Sequence, residues 1–272
     1  MKKISQFLLS LLIGTAFLHP AQANAETAYE RVLRTGTIRC AYAAWDPVFR
    51  KDPNTGAFSG YAYDYMEAIG QELQLEVEWS EEVGWGNFIE GLNTGRYDMM
   101  CVGVWLTAPR MKAALFSNTQ FYQATLAYAR ADDDRFANGF EAANKPDIRV
   151  VTIDGDVSAA LRKQIFPDST EVSLPASSDS AAYFLSVATH KADVLIADSA
   201  TVTLYNQTTE AKLHPIANGQ PIRLSATAFA MKQNELQLKF LIDRAIEVVN
   251  SSGKGARILA PFAPGIVPVT VR

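Results

Sequence analysis

The run GLNTGRYDMMCVGV, from Gly91 to Val104, is the strongest indicator of the fold. Its residues from Tyr97 to Val104 are almost all apolar, as expected of a strand that is buried on both faces of a sheet. A helix is predicted just before it, because Phe88, Ile89 and Leu92 share one helical face. A helix that leads into a buried strand is typical of parallel sheets with right-handed crossovers.

The same alternation of strand and helix extends in both directions along the chain. A polar stretch from Ala131 to Pro146 interrupts it and suits a boundary, after which the alternation restarts. We therefore predict the α/β class with two units, and a ligand crevice at the carboxyl ends of their strands. The predicted strands are Thr37–Ala43, Leu75–Trp79, Tyr97–Val104, Ile148–Ile153, Ala192–Ala197 and Leu224–Met231, and the predicted helices include Ala62–Leu73, Ser158–Phe166, Ser180–His190, Asp198–Tyr205 and Glu235–Asn250.

The first 25 residues have the pattern of a secretory signal peptide. Lys2 and Lys3 form a positive start, and the apolar run Phe7–Leu18 is too short to span a bilayer. We expect cleavage after Ala25, with Ala23 as the alternative site, and export to the periplasm. An uncleaved N-terminal anchor is the other interpretation, although no stop-transfer pattern follows.

Bulk composition excludes several classes of function. Removal of 25 from 272 residues leaves 247, and loss of two lysines moves the formal charge from −4 to −6. This mild acidity, without a basic stripe, argues against nucleic acid binding. Neither a metal-ligand spacing nor a nucleotide-binding or nucleophile motif is found, so we expect no cofactor and no metal.

The mature chain contains two cysteines, Cys40 and Cys101, both in apolar strand-like runs. An oxidising compartment permits a disulfide between them, and two buried free thiols are equally compatible with the sequence. A catalytic cysteine is not expected, because the candidate bases His190 and His214 have no recognisable motif context.

Six segments in order carry a resemblance to a known family. Each is weak alone, but their order and spacing resemble the periplasmic solute-binding proteins of ABC importers for polar amino acids. The likeness runs from about Arg31 to Leu259. The segments are LRTGTIRC at 33–40, GYAYDYM at 60–66, GLNTGRYD at 91–98, GVWLTAPR at 103–110, FSN at 116–118 with FY at 121–122, and HKADVLIAD at 190–198.

The resemblance implies two α/β lobes that close on a ligand about a hinge. Lobe 1 is expected to contain residues 26–127 and 229–272, and lobe 2 residues 131–224. Hinge strands are expected near 126–131 and 224–230. The family sheet order would also place Cys40 and Cys101 on adjacent strands at matching height.

The resemblance also assigns two charged ligand contacts. Arg110 matches the arginine that clamps a ligand carboxylate, a role that suits the planar donor fork of a guanidinium. Asp198 matches the aspartate that receives a ligand ammonium, and it also lies where it would cap a helix. Without the family match, Arg110 would be interpreted as a surface residue near a helix start.

Aromatic residues complete the predicted pocket. Trp45 and Trp85 match the family's aromatic walls, Trp105 replaces a small hydroxyl residue, and Tyr42 replaces a position that is often acidic. Isolated aromatic residues are more often part of a core. Gly103, at the start of the GVWLTAPR segment, is expected to lie against the ligand.

The segment Asp154-Gly155-Asp156-Val157-Ser158 departs from the family pattern, which has hydroxyl residues before the helix whose N-terminus faces the carboxylate. We expect Asp156 and Val157 at the site. Asp156 would either satisfy the free N–H groups of the helix or repel a ligand carboxylate. A cationic or quaternary-ammonium ligand, held by Asp156, Asp198 and the tryptophans, is therefore an alternative.

The sequence thus predicts a monomeric, non-enzymatic binding protein that captures a small carboxylate-bearing solute, an amino acid or a derivative, for an ABC permease. A periplasmic dehydratase on the same scaffold is the first alternative, with Asp156, Asp198 or Glu82 as its general acid or base. Turnover of prephenate or arogenate would distinguish it. A binding component of a sensory or oxidase system is the second alternative.

Overall fold

The computed structural model describes residues 26–137, 139–262 and 265–269. The predicted signal peptide lies outside the described residues. The helices are α1 Ala28–Thr35, α2 Tyr61–Leu73, α3 Phe88–Thr94, α4 Ala108–Ala113, α5 Val157–Ile165, α6 Ser180–Ala188, α7 Ser199–Thr208, α8 Leu236–Ser251 and α9 Lys254–Leu259. The strands are β1 Thr37–Tyr42, β2 Arg50–Lys51, β3 Phe58–Ser59, β4 Glu76–Glu82, β5 Met99–Trp105, β6 Leu115–Phe116, β7 Phe121–Arg130, β8 Arg149–Ile153, β9 Thr170–Leu174, β10 Val194–Asp198, β11 Leu213–Pro215, β12 Arg223–Met231 and β13 Ile266–Pro268.

The central sheet has two parallel flanks joined by an antiparallel pair. Its strand order is β4-β1-β5-β12-β7-β10-β8-β9. Strand β1 is parallel to β4 and β5, and β8 is parallel to β9 and β10. Between these flanks β12 and β7 run antiparallel, with Arg223 opposite Thr125 and Thr227 opposite Phe121. The predicted α/β class, with mainly parallel strands flanked by helices, is therefore confirmed.

Strands β7 and β12 contain the residues that were expected to form the hinge. Each is long, and together they are the strands through which the two flanks of the sheet are joined. The lobe limits at residues 127, 131, 224 and 229 stay a prediction.

Separate apolar cores lie on the two flanks of the sheet. The first contains Ile38 and Val102 together with Ile246 from α8, so segments from early and late in the described part of the chain pack together. On the other flank, neighbouring strand residues alternate between cores on opposite faces of the sheet: Val150 lies in one and Val151 in the other. This alternation explains the continuous apolar runs, because both faces of each strand are covered.

The polar stretch from Ala131 to Pro146 packs against one of these cores. It contains two short 3-10 turns, at Asp134–Phe136 and Phe140–Ala143. Phe136 and Ala143 are buried in the core that also holds Val150. These two buried residues therefore attach the stretch to the second flank of the sheet.

Cys40 and Cys101 form a disulfide between the adjacent strands β1 and β5. Their sulfur atoms lie 1.99 Å apart and their Cα atoms 5.3 Å apart. The two possibilities that the sequence left open, a disulfide or two free thiols, are thus resolved in favour of the disulfide.

An aspartate anchors the start of a parallel strand in each flank. Asp98, just before β5, accepts hydrogen bonds from the backbone N of Arg39 at 2.7 Å and from its Nη2 at 2.9 Å. Asp193, just before β10, accepts them from the backbone N of Arg149 at 2.9 Å and from its Nε at 3.0 Å. Both carboxylates therefore tie a strand to its neighbour at equivalent places.

Candidate functional site

A pocket lies between the two flanks of the sheet and is lined from both. Its lining includes every predicted site residue except Tyr42. The lining residues are Trp45, Val48, Trp85, Gly103, Trp105, Arg110, Gln123, Asp156, Val157, Tyr183, Ile196, Ala197 and Asp198.

The pocket is built at the carboxyl ends of parallel strands. Trp105 ends β5, with Gly103 two residues before it, Asp198 ends β10, and Asp156 follows β8 at the start of α5. Arg110 lies on α4, whose N-cap hydroxyl at Thr107 accepts a hydrogen bond from the Arg110 backbone N. Open α/β sheets bind ligands at this edge, as the sequence predicted.

Arg110 is buried and its guanidinium already has partners within the protein. Nη1 donates to the carbonyl of Trp105 at 3.2 Å, and Nη2 donates to the carbonyl of Trp85 at 2.7 Å. Nη2 also lies 3.3 Å from Oδ2 of Asp156, with Arg110 6% exposed and Asp156 14% exposed at their side chains. Burial lowers the pKa of Arg110, and the carboxylate of Asp156 opposes that shift.

Asp156 joins Arg110 to the N-terminus of α5. Its Oδ1 accepts a hydrogen bond from the backbone N of Ser158 at 2.9 Å, while its Oδ2 faces Arg110. Of the two outcomes that the sequence left open, the structure shows Asp156 satisfying a helix N–H group itself.

Asp198 is buried at the N-terminus of α7. Its Oδ1 accepts from the backbone N of Thr201 at 2.9 Å, and its Oδ2 accepts from the Thr201 hydroxyl at 2.7 Å. The predicted helix cap is thus present. Burial raises the pKa of Asp198, and the hydrogen bonds from Thr201 oppose that shift.

The aromatic lining spans both flanks of the sheet. The ring of Trp45 lies edge-on to Trp85 at 6.3 Å and 6.1 Å from Tyr183 of α6. Trp105 donates its indole N–H to Gln123 at 2.7 Å, and Gln123 donates in turn to the hydroxyl of Tyr61 at 2.7 Å. The hydrogen bond to Gln123 therefore fixes the orientation of the Trp105 ring.

Tyr183 and Gln123 were not predicted as lining residues. Tyr183 lies on α6 beside Phe184 and Val187, so its helical spacing indicated only core packing. Gln123 lies in β7, and its burial as a polar side chain is visible only in the folded protein.

The structure does not bring Tyr42 to the pocket. Its ring stacks on Phe49 at 4.7 Å and contacts Phe58 and Trp79 edge-on. These rings pack within the first apolar core, and Tyr42 is 3% exposed. Glu82, named as a candidate acid or base for the enzymatic alternative, is exposed at the end of β4 and is not among the lining residues.

The described residues lack two features, a metal-ligand cluster and a membrane-spanning helix. They contain no group of three or more His, Cys, Asp or Glu side chains placed to hold a metal ion. No helix in these ranges has the length and apolarity required to cross a bilayer.

A mainly parallel α/β fold in two lobes, with a pocket lined from both, is the architecture of extracellular solute-binding proteins. The family model of bacterial extracellular solute-binding proteins, family 3, matches residues 38–264. The chain belongs to this family, and the predicted two-lobed fold and solute-binding class are confirmed.

Solved structures with similar folds include amino acid-binding proteins. An ancestral amino acid-binding protein, a precursor of cyclohexadienyl dehydratase, has a TM-score of 0.76 and 21% identity, covering 87% of this chain and 99% of its own. The cysteine-binding protein of Campylobacter jejuni has a TM-score of 0.76 and 15% identity, covering 90% of this chain and 100% of its own. At these identities the likeness shows a shared fold.

An enzyme is also among the relatives. Cyclohexadienyl dehydratase of Pseudomonas aeruginosa is 19% identical over 258 residues, which cover 93% of this chain and 92% of the relative. The fold therefore occurs in both binding proteins and an enzyme.

Proposed function

We propose that this chain captures a small amine-bearing organic solute, an amino acid or a derivative of one, and delivers it to an ABC permease. The observation that carries the proposal is a pocket whose lining combines Arg110 from one flank with Asp156 and Asp198 from the other. A solute held between these groups would join the two lobes.

Asp198 is the group best placed to hold the amine. Its carboxylate is buried, and its hydrogen bonds with Thr201 use one acceptor position on each oxygen. The backbone N–H groups of Asp198 and Ala200 also stabilise its charge, and we place the ligand ammonium beside it because Asp198 lines the pocket. A ligand ammonium would also compensate the cost of burying the negative charge of Asp198.

Closure of the cleft supplies the binding mechanism. The proposed lobe 1 contains residues 26–127 and 229–272, the proposed lobe 2 contains residues 131–224, and β7 and β12 would bend between them. Trp45 contacts Tyr183 and Phe184 across this division, each at 6.1 Å between ring centroids. A solute that contacts both lobes stabilises the closed state, since its partners are together only there.

The proposal also states the compartment in which the protein acts and the partner that receives the solute. The signal-peptide pattern of residues 1–25 supports export to the periplasm. Family membership supports a permease as the receiver of the solute, and we expect the chain to act as a monomer. Service to a sensory or oxidase system would use the same pocket.

The likeness to cyclohexadienyl dehydratase favours one second candidate function, an enzyme on this scaffold. Burial raises the pKa of Asp198, which would help that carboxyl to retain the proton that a general acid requires. Incubation with prephenate or arogenate distinguishes the two candidates: turnover supports the enzyme, and stoichiometric binding or no reaction supports the binding protein.

The proposal is tested by identifying what the protein carries. The purified protein is denatured, and released small molecules are identified by mass spectrometry and then titrated back by calorimetry. Asp198→Asn should lower the affinity for the amine at least 100-fold, because the charge is lost while an asparagine still caps α7. Asp179→Asn is the matched control, since Asp179 caps α6 by the same kind of bond, at 2.8 Å to the Ala182 N, outside the pocket lining.

Two outcomes would contradict the proposed function or the role of Asp198. If no organic solute is released, and none of the amines or amino acids tested binds at millimolar concentration, the proposed function is wrong. If Asp198→Asn and Asp179→Asn lower affinity equally, Asp198 does not hold the amine.

A further inference from the structure

Two features of this pocket are suited to an anion, namely the Arg110 guanidinium and the N-terminus of α5. Both are occupied by the same carboxylate. Oδ2 of Asp156 lies 3.3 Å from Nη2 of Arg110, and Oδ1 accepts the N–H of Ser158 at 2.9 Å. One internal carboxylate therefore makes both of the contacts that a ligand carboxylate would otherwise make.

The remaining donors of Arg110 do not offer a second carboxylate a good place. Nη2 is shared between Asp156 and the carbonyl of Trp85, and Nη1 donates to the carbonyl of Trp105. A bidentate pair requires two parallel N–H groups on one side of the guanidinium. A carboxylate next to the remaining N–H groups would lie close to Asp156, and two like charges in one buried site destabilise each other.

The charges of the lining residues also favour a cationic ligand. Among the lining residues that the structure describes, the acidic and basic ones are Arg110, Asp156 and Asp198. Arg110 and Asp156 offset each other, which leaves the charge of Asp198 without an opposite charge in the pocket. A ligand with one positive charge would restore neutrality.

The walls of the pocket suit an organic cation with a weakly hydrated surface. Trp45, Trp85, Trp105 and Tyr183 contribute aromatic faces or edges to the lining. Aromatic rings attract ammonium groups through their quadrupoles. The rings also supply apolar contact to the carbon groups of an amine.

The geometry points to a ligand without a carboxylate: a small primary or methylated amine, held at Asp198 and by the indoles, with Asp156 in the place of the ligand carboxylate. This inference rests on the proposed function and narrows its ligand class to amino-acid derivatives that lack the carboxylate. Asp156 is then the residue that determines specificity, because it fills the position through which an amino acid would bind.

The test compares matched pairs of solutes by calorimetry on the full mature protein. Each pair differs by one carboxylate: phenethylamine with phenylalanine, isoamylamine with leucine, and tetramethylammonium with glycine betaine. We expect the wild type to bind the member without the carboxylate at least 100-fold more tightly in at least one pair, and in no pair to prefer the carboxylate.

Asp156→Ser supplies the second arm. Serine is a good helix N-cap, so α5 keeps its capping bond, while Arg110 is released for an external carboxylate. The preference within the best pair should fall at least 100-fold or reverse in this variant. Asp179→Ser makes the same change at the cap of α6 and should leave the preference unchanged, and melting temperatures of both variants check their folding.

The outcomes separate the two proposals. If the wild type binds an amino acid more tightly than its matched amine, the inference is overturned and the proposed function stands. An unchanged preference in a folded Asp156→Ser protein also overturns it. If no member of any pair binds and no organic solute co-purifies, the proposed function fails and the inference fails with it.

Discussion

Gly86 and Asp154 approach each other so closely that a Cβ atom added to Gly86 would lie 2.2 Å from the carbonyl oxygen of Asp154. A Cβ atom on Gly84 would similarly lie 2.3 Å from the carbonyl oxygen of Ala176. Gly84 and Gly86 flank Trp85 in the proposed lobe 1, and their neighbours belong to the proposed lobe 2. The two backbones meet beside the pocket, and only glycine permits the contact.

Gly86→Ala should therefore oppose closure. The added methyl group has no room against a backbone carbonyl, so we expect ligand affinity to fall at least tenfold, or about 1.4 kcal/mol. The melting temperature of the ligand-free protein should stay close to that of the wild type, because the open form avoids the clash. Calorimetry and thermal unfolding provide the two measurements.

Gly36→Ala is the control for this experiment. Gly36 ends α1 with a φ of 70° and has no atom within 4 Å of an added Cβ. Alanine at this left-handed position should lower stability by about 1 kcal/mol without changing ligand affinity. Unchanged affinity in Gly86→Ala would show that this contact is not part of closure.

The affinity for a cationic ligand should depend on pH through Asp198. Burial raises the pKa of this carboxyl, with the bonds from Thr201 opposing the shift, so protonation begins at a higher pH than for an ordinary aspartate. Binding should weaken up to tenfold for each pH unit below that pKa, because the neutral carboxyl no longer attracts a cation. Calorimetry between pH 8 and pH 4 measures the profile.

Asp198→Asn is the reference for that profile and should bind weakly at every pH. In the ligand-free protein the linkage has the opposite sign: a raised folded pKa favours folding at low pH, and this contribution is lost as the pH rises through it. A wild-type affinity that stays constant down to pH 4 would contradict the role of Asp198.

Acid should weaken the second flank of the sheet through Asp193. Burial raises the pKa of this group, but hydrogen bonds from Arg149 and Arg135 outweigh that effect and lower the pKa to about 2. Its stabilising contribution is thus present above the unfolded pKa of about 3.9 and lost as the pH falls towards 2. Urea unfolding at a series of pH values should show this loss.

Asp193→Asn should be less stable than the wild type at pH 7 and lose less stability between pH 4 and pH 2. Asp132→Asn is the control, because the side chain of Asp132 is 80% exposed. It should follow the wild-type profile. If Asp193→Asn and the wild type were equally sensitive to acid, Asp193 would not be the source of the loss of stability.

Reduction of the disulfide should destabilise the first flank of the sheet. Cys40 and Cys101 are separated by 61 residues, so their bond closes a long loop in the unfolded chain. We expect a loss of about 2–4 kcal/mol in free energy of unfolding with a reductant. The double variant Cys40→Ala with Cys101→Ala should be destabilised similarly and be insensitive to reductant. Alkylation of both cysteines in the unreduced, denatured wild type would show that the bond is absent.

Much of the pocket was predictable because its residues follow the ends of strands. Asp198 ends β10, and Trp105 ends β5 two residues after Gly103, at positions that the apolar runs and the family motifs mark along the chain. Tyr42 also ends a strand, β1, but its ring packs among Phe49, Phe58 and Trp79. Strand position is thus visible in a sequence, whereas the direction and partners of one side chain are not.

The amino-acid pattern alone was sufficient for the α/β order, the solute-binding class and the segments that reach the cleft, because alternating burial and motif spacing are local properties of the chain. The partners of those segments became visible only in the folded molecule. The ion pair of Arg110 with Asp156 joins residues 46 positions apart, and Gln123 reaches Tyr61 over 62 positions. Contacts of this kind arise when distant segments are packed together, and local periodicity carries no information about them.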